Sequence, residues 1–108
     1  MDNLAERLRA AANAERLADH IVLWWNYGQA VSFHAPRHKR EVLFWVERPV
    51  PSRRLGTLNA KHWDVEFPSS IVGGGGRREG LVLSGYGKQS DAIRAGLIAL
   101  AEREEAKP

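Results

Sequence analysis

The chain has no cysteine, and none of its apolar runs is long. Without cysteine the protein forms no disulfide, has no thiol nucleophile and binds no metal through thiolates. The longest uncharged apolar run covers residues 21–25, whereas a membrane-spanning helix needs about 20 residues. The first residues are amphipathic and lack the apolar core of a signal peptide. We therefore expect a cytoplasmic protein that does not contact a membrane.

Residue patterns that indicate catalysis are missing as well. No serine lies in a nucleophile-elbow motif. Asp64 and Glu66 could form a carboxylate pair, but two acids that alternate along a strand are typical of a solvated face. Residues 85–90 resemble the end of a phosphate-binding loop, yet Val82 stands where that loop requires its first glycine. We expect no catalytic site, although Lys88 could help to hold one phosphate at a helix N-terminus.

Histidine spacing does not favour a metal site. Only His34 and His38 are four residues apart, and Pro36 between them argues against a ligand pair on one helix. We expect neither a metal nor another cofactor. The ligands that such a site would draw on are His20, His34, His38 and His62, with Asp64.

The composition is that of one folded domain. The 108 residues are 44% hydrophobic and 27% charged, and both fractions are ordinary for a globular chain of this size. Four Trp, three Phe and two Tyr supply large side chains for a core. We expect a single α+β domain over residues 1–108, with the glycine-rich residues 73–80 as a flexible loop.

Hydrophobic periodicity predicts two helices, one near each end of the chain. Apolar residues recur at three- and four-residue spacing over residues 3–19, where Asn3 can cap the first turn and Glu6 completes a capping-box pattern. Residues 91–105 show the same spacing, with Ser90 as the predicted cap. No helix is predicted between these two segments.

Three to five strands are predicted between the helices. Residues 20–25 are rich in β-branched and aromatic side chains, but they also continue the helical period, so a helix end stays open there. Alternation over residues 62–67 predicts that Trp63, Val65 and Phe67 face the core. The expected fold is an antiparallel sheet with both helices packed on one face. The predicted strands cover residues 20–25, 30–35, 41–48, 62–67 and 81–83.

Basic residues are concentrated in the middle of the chain. Residues 36–61 contain seven basic and two acidic side chains, whereas the net charge of the whole chain is only +3. In a simple meander, alternate connections lie at the same end of the sheet and would bring these residues into two clusters. Such clusters can neutralise phosphates. The candidate nucleic-acid-binding residues are Arg37, Lys39, Arg40, Arg53, Arg54, Arg77, Arg78 and Lys88.

Aromatic residues offer a second kind of surface. Trp24 and Trp25 are adjacent, so on a strand one of them must face away from the other. An outward tryptophan is a candidate contact for a protein partner or for a second copy of the chain. Rings near the basic loops could stack on bases, although such rings usually belong to a core. These rings are Phe33, Trp45, Trp63 and Tyr86.

The C-terminal half shows two family resemblances. Residues 61–67, the strand at Leu81 and Gly85-Tyr86-Gly87-Lys88 before an alanine-rich helix resemble the double-stranded-RNA-binding domain. That resemblance implies an α-β-β-β-α order and phosphate contact at Lys88, the one position that matches the family's lysine run. Residues 63–68, followed by a glycine turn and residues 90–93, resemble the HicB-like antitoxin fold, which implies a dimer that covers a toxin.

The sequence therefore supports two functional hypotheses. The first is a small non-enzymatic module that binds RNA or DNA through its basic loops. The second is a protein-binding regulator, such as an antitoxin or a phage-type inhibitor, that acts through Trp24, Trp25 or a sheet edge and can form a homodimer. The first predicts binding that weakens steeply with salt, and the second predicts a complex that is lost on Trp→Ala substitution.

Overall fold

The computed structural model describes residues 3–48, 62–68 and 82–107. Within these ranges the strands lie in the order β1-β2-β3-β4-β5, and every neighbouring pair is antiparallel. The predicted α+β fold with an antiparallel meander is therefore confirmed. The elements are α1 (Leu4–Asn13), β1 (Ile21–Trp25), β2 (Gln29–Phe33), β3 (Phe44–Glu47), β4 (Trp63–Glu66), β5 (Val82–Tyr86) and α2 (Gln89–Ala106).

Helix α1 begins as predicted and ends earlier than predicted. At its start, the Asn3 side-chain oxygen accepts a hydrogen bond from the Glu6 backbone N–H at 2.8 Å. At its end, the Arg94 guanidinium donates to the carbonyl oxygens of Ala12 and Ala14 at 2.7 and 2.6 Å. These bonds satisfy carbonyl groups at the C-terminus of α1, which have no hydrogen-bond donor within the helix. A side chain from α2 thus fixes a boundary that local periodicity places further along.

Three of the predicted strands contain an observed strand with narrower bounds, and β2 begins one residue before its predicted start and ends two residues before its predicted end. The strand prediction for residues 20–25 is confirmed over the helical alternative. Val65 in β4 and Phe67 just after it are buried, and Trp63 packs against the same core, as the alternation predicts. The ring of Phe44 on β3 lies with its centroid 5.8 Å from that of Phe67. One face of the sheet therefore supplies the apolar core.

Both helices lie on that face. The core cluster joins α1 residues, α2 residues and the inward side chains of the strands. Helix α2 lies very close to β3 at Gly96, where an added Cβ atom would be only 2.7 Å from the Phe44 ring. Helix α1 packs along α2, and the Arg9 guanidinium donates two hydrogen bonds to the Glu105 carboxylate, at 2.6 and 3.0 Å. The predicted placement of two helices on one face is confirmed.

The junction between β5 and α2 differs from the prediction. Strand β5 extends to Tyr86 because a register shift opposite Trp63 and Val65 accommodates an extra residue. Gly85 lies there at a φ of +95°, a backbone conformation that glycine adopts without strain. Helix α2 begins at Gln89 with Lys88 as its N-cap, so Ser90 lies inside the helix.

Among the described helices, none is both long and apolar enough to cross a membrane. The predicted flexible loop at residues 73–80 lies outside the described residues.

Candidate interaction surface at the edge strand

The predicted phosphate-binding residues are only partly described. Arg37 and Lys39 are exposed at the ends of a 3-10 turn, Arg37–Lys39, which connects β2 to β3. His38 lies between them, so this turn presents a small basic cluster. The four candidates outside the described residues are Arg53, Arg54, Arg77 and Arg78.

The remaining two described candidates do not enlarge this cluster. The half-buried Arg40 donates from Nε to the Ala35 carbonyl oxygen at 3.1 Å, a bond within its own loop. Lys88 lies between β5 and α2. The antiparallel order places it at the other end of the sheet from the β2–β3 connection. The described residues therefore bring Arg37 and Lys39 together without Lys88. Strong electrostatic binding to DNA typically uses roughly six to ten phosphate contacts.

The rings that could have stacked on bases belong to the fold. Trp45 is 8% exposed and donates from Nε1 to the Asn26 carbonyl oxygen at 2.7 Å. Phe33, Trp63 and Tyr86 pack against the core cluster, and the Arg7 guanidinium lies 4.1 Å from the centroid of the Phe33 ring. None of these four rings offers an open face comparable to the exposed aromatics of the β1–β2 hairpin.

Trp24 and Trp25 face opposite sides of the sheet, as strand alternation predicts. Trp24 lies on the face away from the helices, and its Nε1–H donates to the buried Ser32 hydroxyl at 2.7 Å. Trp25 shares the helix-covered side with Ile21, yet it is 79% exposed. The outward tryptophan that the sequence predicts as an interface residue is therefore Trp25, while Trp24 is a structural residue.

The turn after Trp25 presents a second aromatic side chain. Tyr27 is 84% exposed and has a φ of +56°, in the left-handed region that non-glycine residues seldom occupy. The turn is fixed on either side: Asn26 N–H donates to the Gly28 carbonyl at 2.9 Å, and Trp45 donates to the Asn26 carbonyl. A bulky residue in this conformation costs stability. The sequence prediction missed Tyr27, although its place between Asn26 and Gly28 marks a tight turn.

The backbone of β1 presents polar groups on its outer side that no other described strand pairs with. Leu43 N–H donates to the Val31 carbonyl, so the backbone groups of Val31 point towards β3. Backbone groups alternate in direction along a strand, and Val31 lies opposite Leu23. The N–H and C=O groups of Ile21, Leu23 and Trp25 therefore point away from β2. Among the described strands, none pairs with this outer side.

An apolar groove adjoins the same edge on the helix-covered side. Its volume is about 410 Å³, and it opens to solvent between β1 and the first turn of α2. Its apolar lining comes from β1, from α2 and from the 3-10 turn Leu17–Asp19 that precedes β1. These lining residues are Leu17, Ala18, Ile21, Leu23 and Ile93. We define the β1 edge as the outward backbone of β1, this groove and the exposed Trp25. Its lining residues are largely apolar.

The face of the sheet away from the helices is acidic on β3 and β4. Glu47 lies directly opposite Asp64, and Glu66 lies two residues further along β4. His62 Nε2 is 3.4 Å from Asp64 Oδ1, a distance that suits an ion pair when His62 is protonated. The angles do not make it a hydrogen bond, and Oδ1 has no other hydrogen-bond partner within the described residues.

Comparisons with known proteins add no assignment to this geometry. No protein-family model matches the chain, and no curated protein or solved structure matches it either. The resemblances to the double-stranded-RNA-binding domain and to the HicB-like antitoxin fold therefore stay predictions. The function has to be inferred from the surface itself.

Proposed function

We propose that this protein is a protein-binding module that engages its partner through the β1 edge. The observation that supports this proposal most strongly is the combination, on one uncharged edge strand, of outward backbone groups and a tryptophan that is 79% exposed. A partner segment in extended conformation would add a strand beside β1, as peptides do when they extend an exposed sheet edge.

The energetics favour such strand addition. Each backbone hydrogen bond contributes about 1 kcal/mol net, so the backbone alone gives modest affinity and little specificity. Covering Trp25 adds a large apolar area, and buried Trp and Tyr side chains dominate the binding energy of many interfaces. Tyr27 supports the same interpretation, because its left-handed conformation costs stability and places an aromatic side chain in solvent.

The described surface gives less support to nucleic-acid binding. Arg37 and Lys39 form the largest described group of candidate basic residues, and two cations are fewer than the roughly six to ten phosphate contacts of strong electrostatic binding. Binding of RNA or DNA is therefore an outcome that the test must be able to reveal.

The test compares two double variants with the wild type. Trp25→Ser with Tyr27→Ser removes the exposed aromatics, and Arg37→Ala with Lys39→Ala removes the described basic cluster. Each purified, nuclease-treated protein is assayed for binding to labelled single- and double-stranded RNA and DNA at two salt concentrations. Each is also used to capture proteins from nuclease-treated lysate of the native cells, and a captured protein is purified and bound again in isolation.

The proposal predicts a partner protein that binds the wild type and the Arg37/Lys39 variant equally and loses affinity for the Trp25/Tyr27 variant. Nucleic-acid binding that falls steeply with salt and is lost in the Arg37/Lys39 variant would instead establish the nucleic-acid hypothesis.

A further inference from the structure

We propose that the β1 edge binds a second copy of this chain, with the two β1 strands antiparallel about a twofold axis at Leu23. The inference rests on the proposed function, because it uses the same strand edge and names its occupant. Strand addition of this kind would join two five-stranded sheets into one continuous sheet with all helices on the same face.

Pairing about Leu23 satisfies every outward backbone group of β1. The N–H and C=O groups of Leu23 would bond to those of Leu23 in the second copy, and those of Ile21 would bond to those of Trp25. Directly opposite residues of this type exchange both hydrogen bonds in an antiparallel pair. A shift of one residue would place outward groups against groups that already bond to β2. The strand is thus complementary to itself in this register.

The side chains on the helix-covered side are complementary in the same register. Trp25 of one copy would lie beside Ile21 of the other, and Ile21 lines the apolar groove of about 410 Å³. An exposed indole and an open groove therefore occur on one strand at the spacing that a twofold axis requires. The Trp25 indole of each copy would contact the groove of the other copy, which is the geometry of an isologous interface.

Charge and size are consistent with such a dimer. Residues 21–25 contain no charge, so pairing the two strands brings no like charges together. At the ends of the pairing, Asp19 and His20 of one copy would lie near Tyr27 and Asn26 of the other. Two short strands and two indoles give an interface at the small end of specific complexes, below about 1,200 Å². We therefore expect a reversible dimer that forms in the micromolar concentration range, a binding free energy of roughly 8 kcal/mol.

The first experiment measures molar mass by sedimentation velocity from low micromolar to near-millimolar concentration. The wild type should change from monomer to dimer, and Trp25→Ala should weaken the dimer at least about tenfold, as loss of a buried interface tryptophan does. Leu4→Ala is the matched control, because Leu4 is an exposed apolar residue on α1 that belongs neither to β1 nor to the lining of its groove. A wild type that stays monomeric, or a dimer that Leu4→Ala weakens equally, would overturn the proposal.

A mixing experiment tests the exchange of indole and groove directly. Ala18→Trp should fill the groove and weaken self-association as Trp25→Ala does. A mixture of these two variants restores one intact contact, because the Trp25 of one variant meets the open groove of the other. We expect the mixed dimer to be tighter than either homodimer, and a mixture no tighter than its components would contradict the proposed geometry.

The dimer and the proposed function can fail separately. If the wild type is monomeric while capture of a different protein still depends on Trp25, the proposed dimer is wrong and the proposed binding function of the β1 edge is retained. If neither association depends on Trp25, both proposals are wrong.

Discussion

Strands β1 and β5 both lie at an edge of the sheet, and they differ in how they meet the solvent. Strand β5 contains a register shift at Gly85, and irregularities of this kind are among the devices that keep sheet edges from pairing with other chains. Strand β1 pairs with β2 in unbroken register, contains no charge or proline, and ends at the exposed Trp25. Among the described residues, the irregular edge is therefore β5 and the regular, uncharged edge is β1.

The two edge strands also differ in how the helices pack on them. Helix α2 packs on β3, β4 and β5, while α1 packs mainly on α2. Strand β1 contacts mainly β2 and the 3-10 turn Leu17–Asp19 that precedes it, and its Ile21 reaches the core cluster. Most of the core therefore lies under α2, and Ile21 is the residue of β1 that belongs to the buried core cluster.

The largest expected effect is on the free energy of unfolding, and it differs between backbone N–H groups of β1 that point to β2 and those that point outward. Val22→Pro removes an N–H that points to β2 and should destabilise the fold by roughly 2–3 kcal/mol. Trp25→Pro removes an outward N–H and should leave the free energy of unfolding within about 1 kcal/mol of wild type while abolishing association. Urea unfolding measures both. Equal destabilisation by the two prolines would show that the assignment of outward groups is wrong.

The next effect concerns the helix-covered half. Gly96→Ala places a Cβ atom 2.7 Å from the Phe44 ring, and overpacking of this kind costs about 1–3 kcal/mol, partly offset by up to about 1 kcal/mol of helix propensity. We expect a net loss of about 1–2 kcal/mol in the free energy of unfolding. Gly87→Ala is the control, since a Cβ there meets nothing within 4 Å. If Gly96→Ala were neutral, α2 would not be seated as closely as described.

A smaller effect of opposite sign is expected at the turn. Asn tolerates the left-handed conformation that Tyr27 occupies, so Tyr27→Asn should raise the free energy of unfolding by up to about 1 kcal/mol. The same variant should bind a β1-edge partner less well. Thermal unfolding measures the gain in stability, and sedimentation measures the loss of binding. A destabilised variant would show that Tyr27 serves the fold rather than the interface.

The smallest effect is expected between the helices. The hydrogen bond from Arg9 and its positive charge lower the pKa of the Glu105 carboxyl, so this pair stabilises the fold above the unfolded-state pKa. That contribution is lost as pH falls through the lowered pKa of the folded state. Glu105→Gln should therefore reduce the melting temperature slightly at neutral pH, and the two proteins should converge in acid. A difference that persists in acid would have another cause.

Much of the fold could be predicted from the sequence because its signals are local. The alternation over residues 62–67 gives the buried face of β4, and three- and four-residue spacing gives both helices. The end of α1 could not be predicted, since Arg94 satisfies its last carbonyl groups from across the fold. The extension of β5 to Tyr86 depends on a bulge that only the partner strand defines.

The candidate site was predictable to the same extent. Adjacent Trp24 and Trp25 had to face opposite sides, but which one is exposed depends on how far the helices extend over the sheet. The basic residues gave a clear compositional signal, whereas their positions depend on the order of the strands. Tyr27 gave a weak signal, because its importance lies in a backbone angle that the sequence does not state.

The central claim is that the outer side of β1 is unpaired in the monomer and becomes paired on association. Residue-resolved amide hydrogen exchange, measured by NMR at low and high protein concentration, tests it most directly. The account predicts that the amides of Ile21, Leu23 and Trp25 exchange rapidly in dilute solution and become protected as concentration rises, while those of Val22 and Trp24 are protected throughout. Protection of all five amides in dilute solution, or rapid exchange of the outward three in a sample that sediments as a dimer, would contradict it.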